Sequence, residues 1–211
     1  HLHQQEGITA VAQPWLPPLK ERITLDECDF KEMWAEKKSG LQFKLGIVDM
    51  PYLQKQEVLS LDLTQTHVAL YGGSGMGKTT FLQSMTLDLV RNYSPEDLEI
   101  YLLDFGTNGL SPYKDFPHVA DIFTLDQTEK INKFVTRLKD IHTERKRLLS
   151  RSGVATIELY EQLTKNRIPH VLIILDNFEA MKDEPFEDAV YKLLILLARE
   201  GIALGDRKSV V

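Results

Sequence analysis

The sequence predicts an α/β fold, a mainly parallel sheet with helices on both faces, preceded by a small extended and β-rich segment. Three observations carry this. Short aliphatic runs at residues 67–71, 98–103 and 171–175 alternate with stretches whose apolar residues recur at helical spacing, the pattern of strand–helix repeats in a parallel sheet. The second and third runs end in Asp104 and Asp176. The first runs into a turn holding four glycines within six residues, followed by a helical stretch.

Within residues 1–20, residues 13–19 cannot be helix interior, because Pro14, Pro17 and Pro18 remove backbone donors and fix φ. They read either as an extended strap or as a segment docking on a neighbouring module through Trp15 and Leu16. His1 and His3 fit a flexible end or tag remnant better than a metal site. Residues 21–66 read as a β-rich extension packed on the core. Residues 41–48 show strand-like alternation closing on a Pro51 turn, and residues 59–63 alternate apolar and polar as a half-buried edge strand does.

Residues 67–211 form the predicted core. Residues 67–71 are a short buried strand. A helix follows over residues 78–92, with Phe81, Leu82, Met85 and Leu89 on one face. The strand at 98–103 precedes a long amphipathic helix with Ile131, Phe134, Val135, Leu138 and Ile141 as its apolar stripe, and Asp126 and Glu129 are expected to form its capping pair. Its far end carries Arg145, Lys146, Arg147 and Arg151, read as a solvated end that complements the macrodipole. A shorter helix covers residues 157–165. Residues 171–175 are the most clearly buried strand. Pro185 then suits a first helical turn, and residues 189–198 are apolar enough to be largely covered. After Gly205 no further strand is recognisable, so the core is expected to be truncated or discontinuous there.

Composition narrows the function classes. The 211 residues are 43% hydrophobic and 27% charged, as in ordinary globular proteins. No apolar run approaches the ~18 residues that span a bilayer. Lys plus Arg is 25 against 31 Asp plus Glu, which argues against a surface that is one large nucleic-acid footprint. The single cysteine, Cys28, excludes an internal disulfide and fits a reducing compartment. The six histidines show no metal-ligand spacing with it.

Gly72-Gly73-Ser74-Gly75-Met76-Gly77-Lys78-Thr79 matches the phosphate-loop pattern G-x-x-x-x-G-K-[ST] at every position, between a strand and a helix. Its glycines let successive N–H groups point inward at phosphate oxygens, and the helix that starts at Lys78 adds its positive end. Lys78 is expected to neutralise the β and γ phosphates of ATP, Thr79 to ligate Mg²⁺, and Thr80 to bond the α-phosphate. Asp176, at the end of an aliphatic strand, is the expected carboxylate of the Mg²⁺ shell. Hydrolytic enzymes of this kind usually place a glutamate next. Here the residue is Asn177, an amide that cannot accept a proton at neutral pH. Glu179 either substitutes for it or is a surface carboxylate. The chain has no Asn-Lys-x-Asp guanine reader, no Leu-Ser-Gly-Gly-Gln transporter signature and no obvious arginine-rich kinase lid.

The chain resembles the FtsK/SpoIIIE family of phosphate-loop motors across roughly residues 13–205. Beyond the loop, the resemblance rests on Asp104 with the residues up to Leu110, on Pro117-His118-Val119, on residues 144–149 and on residues 199–205. Within the family, Trp15-Leu16-Pro17-Pro18-Leu19 and residues 45–51 resemble the segments that precede ATPase modules of type VII secretion motors. The resemblance implies a RecA-like core and a membrane-anchored parent at the cytoplasmic face of a bacterial membrane. It also implies adjacent ATPase modules in the same polypeptide, ring-type homo-oligomers in which a neighbour supplies an arginine, and export of small WXG-type proteins. The weakened acidic motif points to the C-terminal third module. Membrane association would come only through the parent.

Two readings follow. One is an ATP-binding motor module with weak or absent intrinsic hydrolysis. The other is a degenerate, non-hydrolysing domain that recognises substrate or regulates its neighbours. DNA translocation ranks third, with residues 145–151 as the basic groups that could touch a backbone.

Overall fold

The computed structural model describes residues 16–24, 34, 40–64 and 66–210, without the side chains of residues 202 and 206–210. Trp15, Cys28, His1 and His3 lie outside the described residues.

The N-terminal part is an antiparallel hairpin of β1 (Gln42–Met50) and β2 (Lys55–Asp62). Leu41, Phe43 and Leu63 are fully or nearly fully buried at its base. They join Leu82, Met85 and Leu89 of helix α1 (Lys78–Asn92) in one apolar cluster. Polar contacts fix the register of this packing. The Lys44 N–H donates to the Asp88 carboxylate at 2.8 Å, and the Gln42 N–H donates to the Tyr93 hydroxyl at 2.7 Å.

The core is a five-stranded parallel sheet of β3 (Val68–Ala69), β4 (Leu98–Asp104), β5 (Val119–Thr124), β6 (His170–Asp176) and β7 (Asp206–Val210), in the order β3-β7-β6-β4-β5. The two-residue period of the strands sorts their side chains to opposite faces. Leu98, Ile100, Leu102, Leu172 and Ile174 face α1 and the hairpin. Tyr101, Leu103, Val171, Ile173 and Leu175 face the opposite cluster, which includes residues of α2 (Thr128–Ser152) and α4 (Glu187–Leu204). Helices therefore cover both faces, as expected. Helix α3 (Ile157–Thr164) is capped by Thr156, whose hydroxyl accepts from the Leu159 N–H at 3.3 Å. It packs with Leu149 and Leu204 in a third, small cluster.

Several expectations change. The first strand is shorter than residues 67–71, with Val68 half-buried and Ala69 exposed, and among the described residues it pairs on one side alone, with β7. Val119–Thr124 forms a strand where the sequence showed only a turn around Pro117 and His118. The strand not recognised after Gly205 is present as β7. It is defined by main-chain pairing with β6, from Val171↔Asp206 to Leu175↔Val210, rather than by an apolar run. Asp126 does not cap α2. Its carboxylate accepts from the Thr124 hydroxyl at 2.6 Å, two residues away, and Gln127 stands at the cap with no side-chain bond to the helix, its Oε1 accepting from the Thr124 N–H at 3.4 Å. Pro185 lies before the first turn of α4 rather than in it. Only one face of α4 is covered, with Tyr191 and Ile195 exposed.

The largest change is at the end of α2. Arg145 is not solvated but 7% exposed. Its guanidinium donates to the Leu204 carbonyl and to the Pro169 carbonyl, each at 2.7 Å, so it ties α2 to the end of α4 and to the entry of β6. Lys146 pairs with Glu200 at 2.7 Å. Only part of the predicted basic cluster therefore faces solvent. No helix among the described residues is long and apolar enough to cross a membrane.

Candidate nucleotide site

The site lies at the C-terminal ends of the parallel strands, where open α/β sheets place their ligands. The phosphate loop leaves β3, which pairs with β7 rather than with β6. Helix α1 closes that gap by bringing its second residue to the end of β6: the Thr79 hydroxyl donates to Asp176 Oδ2 at 2.8 Å, across 97 residues of sequence. Gly75 and Gly77 have φ of 75° and 81°, a left-handed backbone that a side chain would strain. Gly77 occupies the cap position of α1 and offers no side chain to the first turn, which also lacks acidic residues. The N–H groups of that turn are thus left for an incoming anion.

Lys78 is partly exposed and folds back on the loop, its Nζ donating to the Gly72 and Gly73 carbonyls at 2.8 and 3.0 Å. The rest of the loop, from Gly72 through Ser74 and Met76 to Gly77, is exposed, and so is Thr80 in the first turn of α1. The expected loop residues, Thr79 and Asp176 thus come together. Among the described residues no group of three or more His, Cys, Asp or Glu could hold an ion by itself. Thr79 and Asp176 offer two oxygens in contact, which suits Mg²⁺, an ion that keeps waters and takes phosphate oxygens as its other ligands.

Glu179 is not brought into this group. It is exposed in the 3-10 turn Phe178–Met181 and lines a separate cleft with Phe178, Met181, Lys182 and Glu187. Asn177 is left-handed, with φ 60°, and its amide donates to the Phe105 carbonyl at 3.2 Å. Together with the Phe105 N–H, which donates to the Asp176 carbonyl at 3.2 Å, it fastens the ends of β4 and β6 to each other.

Two features at and after the end of β4 were not singled out for the site. Asp104 is buried, 2% exposed, and its Oδ2 accepts from the Leu110 N–H at 2.8 Å. Gly109 passes so close to Thr79 that an added Cβ would fall well inside contact with Thr79 Cγ2, and its carbonyl accepts from Gln83 of α1 at 2.6 Å. Asp104 carries the same sequence signal as Asp176, an aspartate ending a buried parallel strand. Gly109 carries none, because its neighbour in space is 30 positions earlier.

The FtsK/SpoIIIE family model matches residues 29–204. The type VII secretion system protein EssC of Staphylococcus aureus (strain MRSA252) is 44% identical over 202 residues, which is 94% of this chain but only 14% of that relative. Among solved structures, EssC (ATPases 2 and 3) from Geobacillus thermodenitrificans matches with a TM-score of 0.73 and 29% identity, over 93% of this chain and 37% of that one. Thermomonospora curvata EccC (ATPases 2 and 3), in complex with a signal sequence peptide, matches with a TM-score of 0.78 and 25% identity, over 93% and 38%.

Proposed function

This chain belongs to the FtsK/SpoIIIE family, and on that premise we propose that it is an ATP-binding module of a type VII secretion motor, with weak or absent hydrolysis of its own. The bond between Thr79 and Asp176 carries the reading. It joins the phosphate loop to the carboxylate of a distant strand, as a Mg²⁺–nucleotide site requires. Lys78 would exchange its loop carbonyls for phosphate oxygens, at little cost because those bonds are exposed. Thr79 and Asp176 would hold the metal, whose bound charge would offset that of the phosphates. Thr80 would bond the α-phosphate. Weak hydrolysis is supported by Asn177, which is engaged with Phe105, and by the exposure of Glu179 away from the loop.

The parent's work is part of the same proposal. It would be a membrane-anchored motor at the cytoplasmic face, this module being its C-terminal third ATPase. Adjacent modules and ring-type homo-oligomers would supply an arginine in trans, and small WXG-type proteins would be exported. The relatives' names and the signal peptide bound to the Thermomonospora protein support this. A non-hydrolysing recognition module is the second reading, favoured by the same Asn177. DNA translocation loses support from the burial of Arg145, and a salt-dependent gel shift would revive it.

The test is calorimetric titration with ATP, with and without Mg²⁺, on the parent and on Lys78→Ala. Mg²⁺-dependent affinity at or below ~100 μM, lost in the variant, supports the proposal. A folded parent that binds no nucleotide refutes it and leaves protein recognition as the role of the fold.

A further inference from the structure

We propose that Asp104 is a second carboxylate of the metal–nucleotide site, accepting a hydrogen bond from a water of the Mg²⁺ shell. This rests on the nucleotide-binding reading above and deepens it. It concerns the metal shell and is separate from the catalytic role that the sequence reading considered for Glu179.

Four observations converge. Asp104 and Asp176 are register partners on adjacent parallel strands, so their backbones lie about 4.8 Å apart at the same edge of the sheet. Asp104 is buried, and only one of its oxygens is engaged: Oδ2 accepts from Leu110, while the buried Oδ1 has no partner. Leaving such an oxygen unsatisfied is unfavourable, and native structures rarely tolerate it without a reason. The segment after Asp104 lies against the metal carboxylate, since a Cβ added at Gly106 would stand 3.4 Å from Asp176 Oδ2. Finally, Asp104 also lines an open cleft of about 480 Å³ with Phe105, Gly106, Asn108, Thr124 and Leu125 among others, which is roomy enough to hold ordered water.

These facts separate two jobs within one side chain. A turn-capping aspartate needs only Oδ2. The second oxygen is an acceptor without a donor, on a residue in register with Asp176. A water of a cation's hydration shell would supply that donor. Asp104 would act through that water, which makes it a positioning residue.

Asp104→Asn tests this, because the amide oxygen retains the acceptor for Leu110 while the other position becomes a donor. ATP affinity is measured by calorimetry and as the ligand-induced rise in melting midpoint, each with Mg²⁺ and with EDTA. The second readout serves even if the variant is less stable. The expected result is a roughly 10-fold or greater loss of affinity with Mg²⁺, no change in EDTA, and no change of either in Glu179→Gln. A structural role alone would lower both affinities together or neither, and either pattern overturns the proposal. Equal Mg²⁺ dependence in parent and Asp104→Asn also overturns it and leaves the nucleotide site standing. A parent that binds no ATP overturns both.

Discussion

Replacing Gly109 by alanine puts a methyl group into space already held by Thr79 Cγ2. Thr79 has little freedom to yield, because it is β-branched, sits in the first turn of α1, and its hydroxyl is bonded to Asp176. Two responses remain. Thr79 turns about χ1 and breaks its bond to the carboxylate, or residues 105–110 move and strain the bonds from Leu110 to Asp104 and from Gln83 to Gly109. Overpacking of this kind costs about 1–3 kcal/mol. A hydrogen bond to a charged group contributes about 1.5–3 kcal/mol, and that range corresponds to roughly 10- to 150-fold in affinity. Gly109→Ala is therefore expected to lose MgATP affinity by that factor while remaining folded. Affinity in EDTA should change by less than about threefold, since Lys78 and the glycines of the loop are untouched. Calorimetry with and without Mg²⁺, with urea unfolding alongside, measures both. A variant that binds MgATP like the parent at unchanged stability would refute the packing argument and the coupling of Thr79 to Asp176 with it.

Lys78→Ala should abolish ATP affinity and leave the urea midpoint nearly unchanged, because the lysine's bonds to Gly72 and Gly73 are exposed; equilibrium unfolding checks the second half. Arg145→Ala should destabilise the fold by about 2–4 kcal/mol, since it strips a shared donor from the Leu204 and Pro169 carbonyls; a change below about 0.5 kcal/mol would restore the solvated reading of that helix end. His118 is buried with Nε2–H donating to the Tyr93 carbonyl at 2.7 Å, and burial holds its pKa below the ordinary 6.5. The unfolded chain therefore takes up a proton below about pH 6.5 that the native state resists, and stability falls as pH drops through that range, by up to about 1.4 kcal/mol per pH unit. His118→Gln should flatten that slope in urea titrations from pH 7 to 5, and an unchanged slope would assign it to other groups.

Legibility differed between elements for identifiable reasons. Helix α1 and strands β4 and β6 were read nearly to the residue, because burial on one or both faces writes itself into the sequence as an apolar run or stripe. β7 was missed, being a strand defined by its position between β3 and β6 rather than by its residues. β5 was hidden behind the turn at Pro117. The end of α2 was misread because an arginine late in a helix looks the same whether it faces water or two carbonyls.

The phosphate loop, its lysine and threonine, and the strand-end Asp176 were determined by sequence alone. Each is a local requirement: left-handed backbone at Gly75 and Gly77, one ammonium, one hydroxyl, and one carboxylate at the end of a buried strand. Only the tertiary structure decided which other polar residues stand near Asp176. It left Glu179 exposed in a separate cleft, engaged Asn177 with Phe105, and set the half-satisfied Asp104 beside Asp176. The physical reason is that such a site is assembled from the ends of strands that are neighbours in the sheet. The order of strands in a sheet is set by long-range packing, which no short window of sequence records.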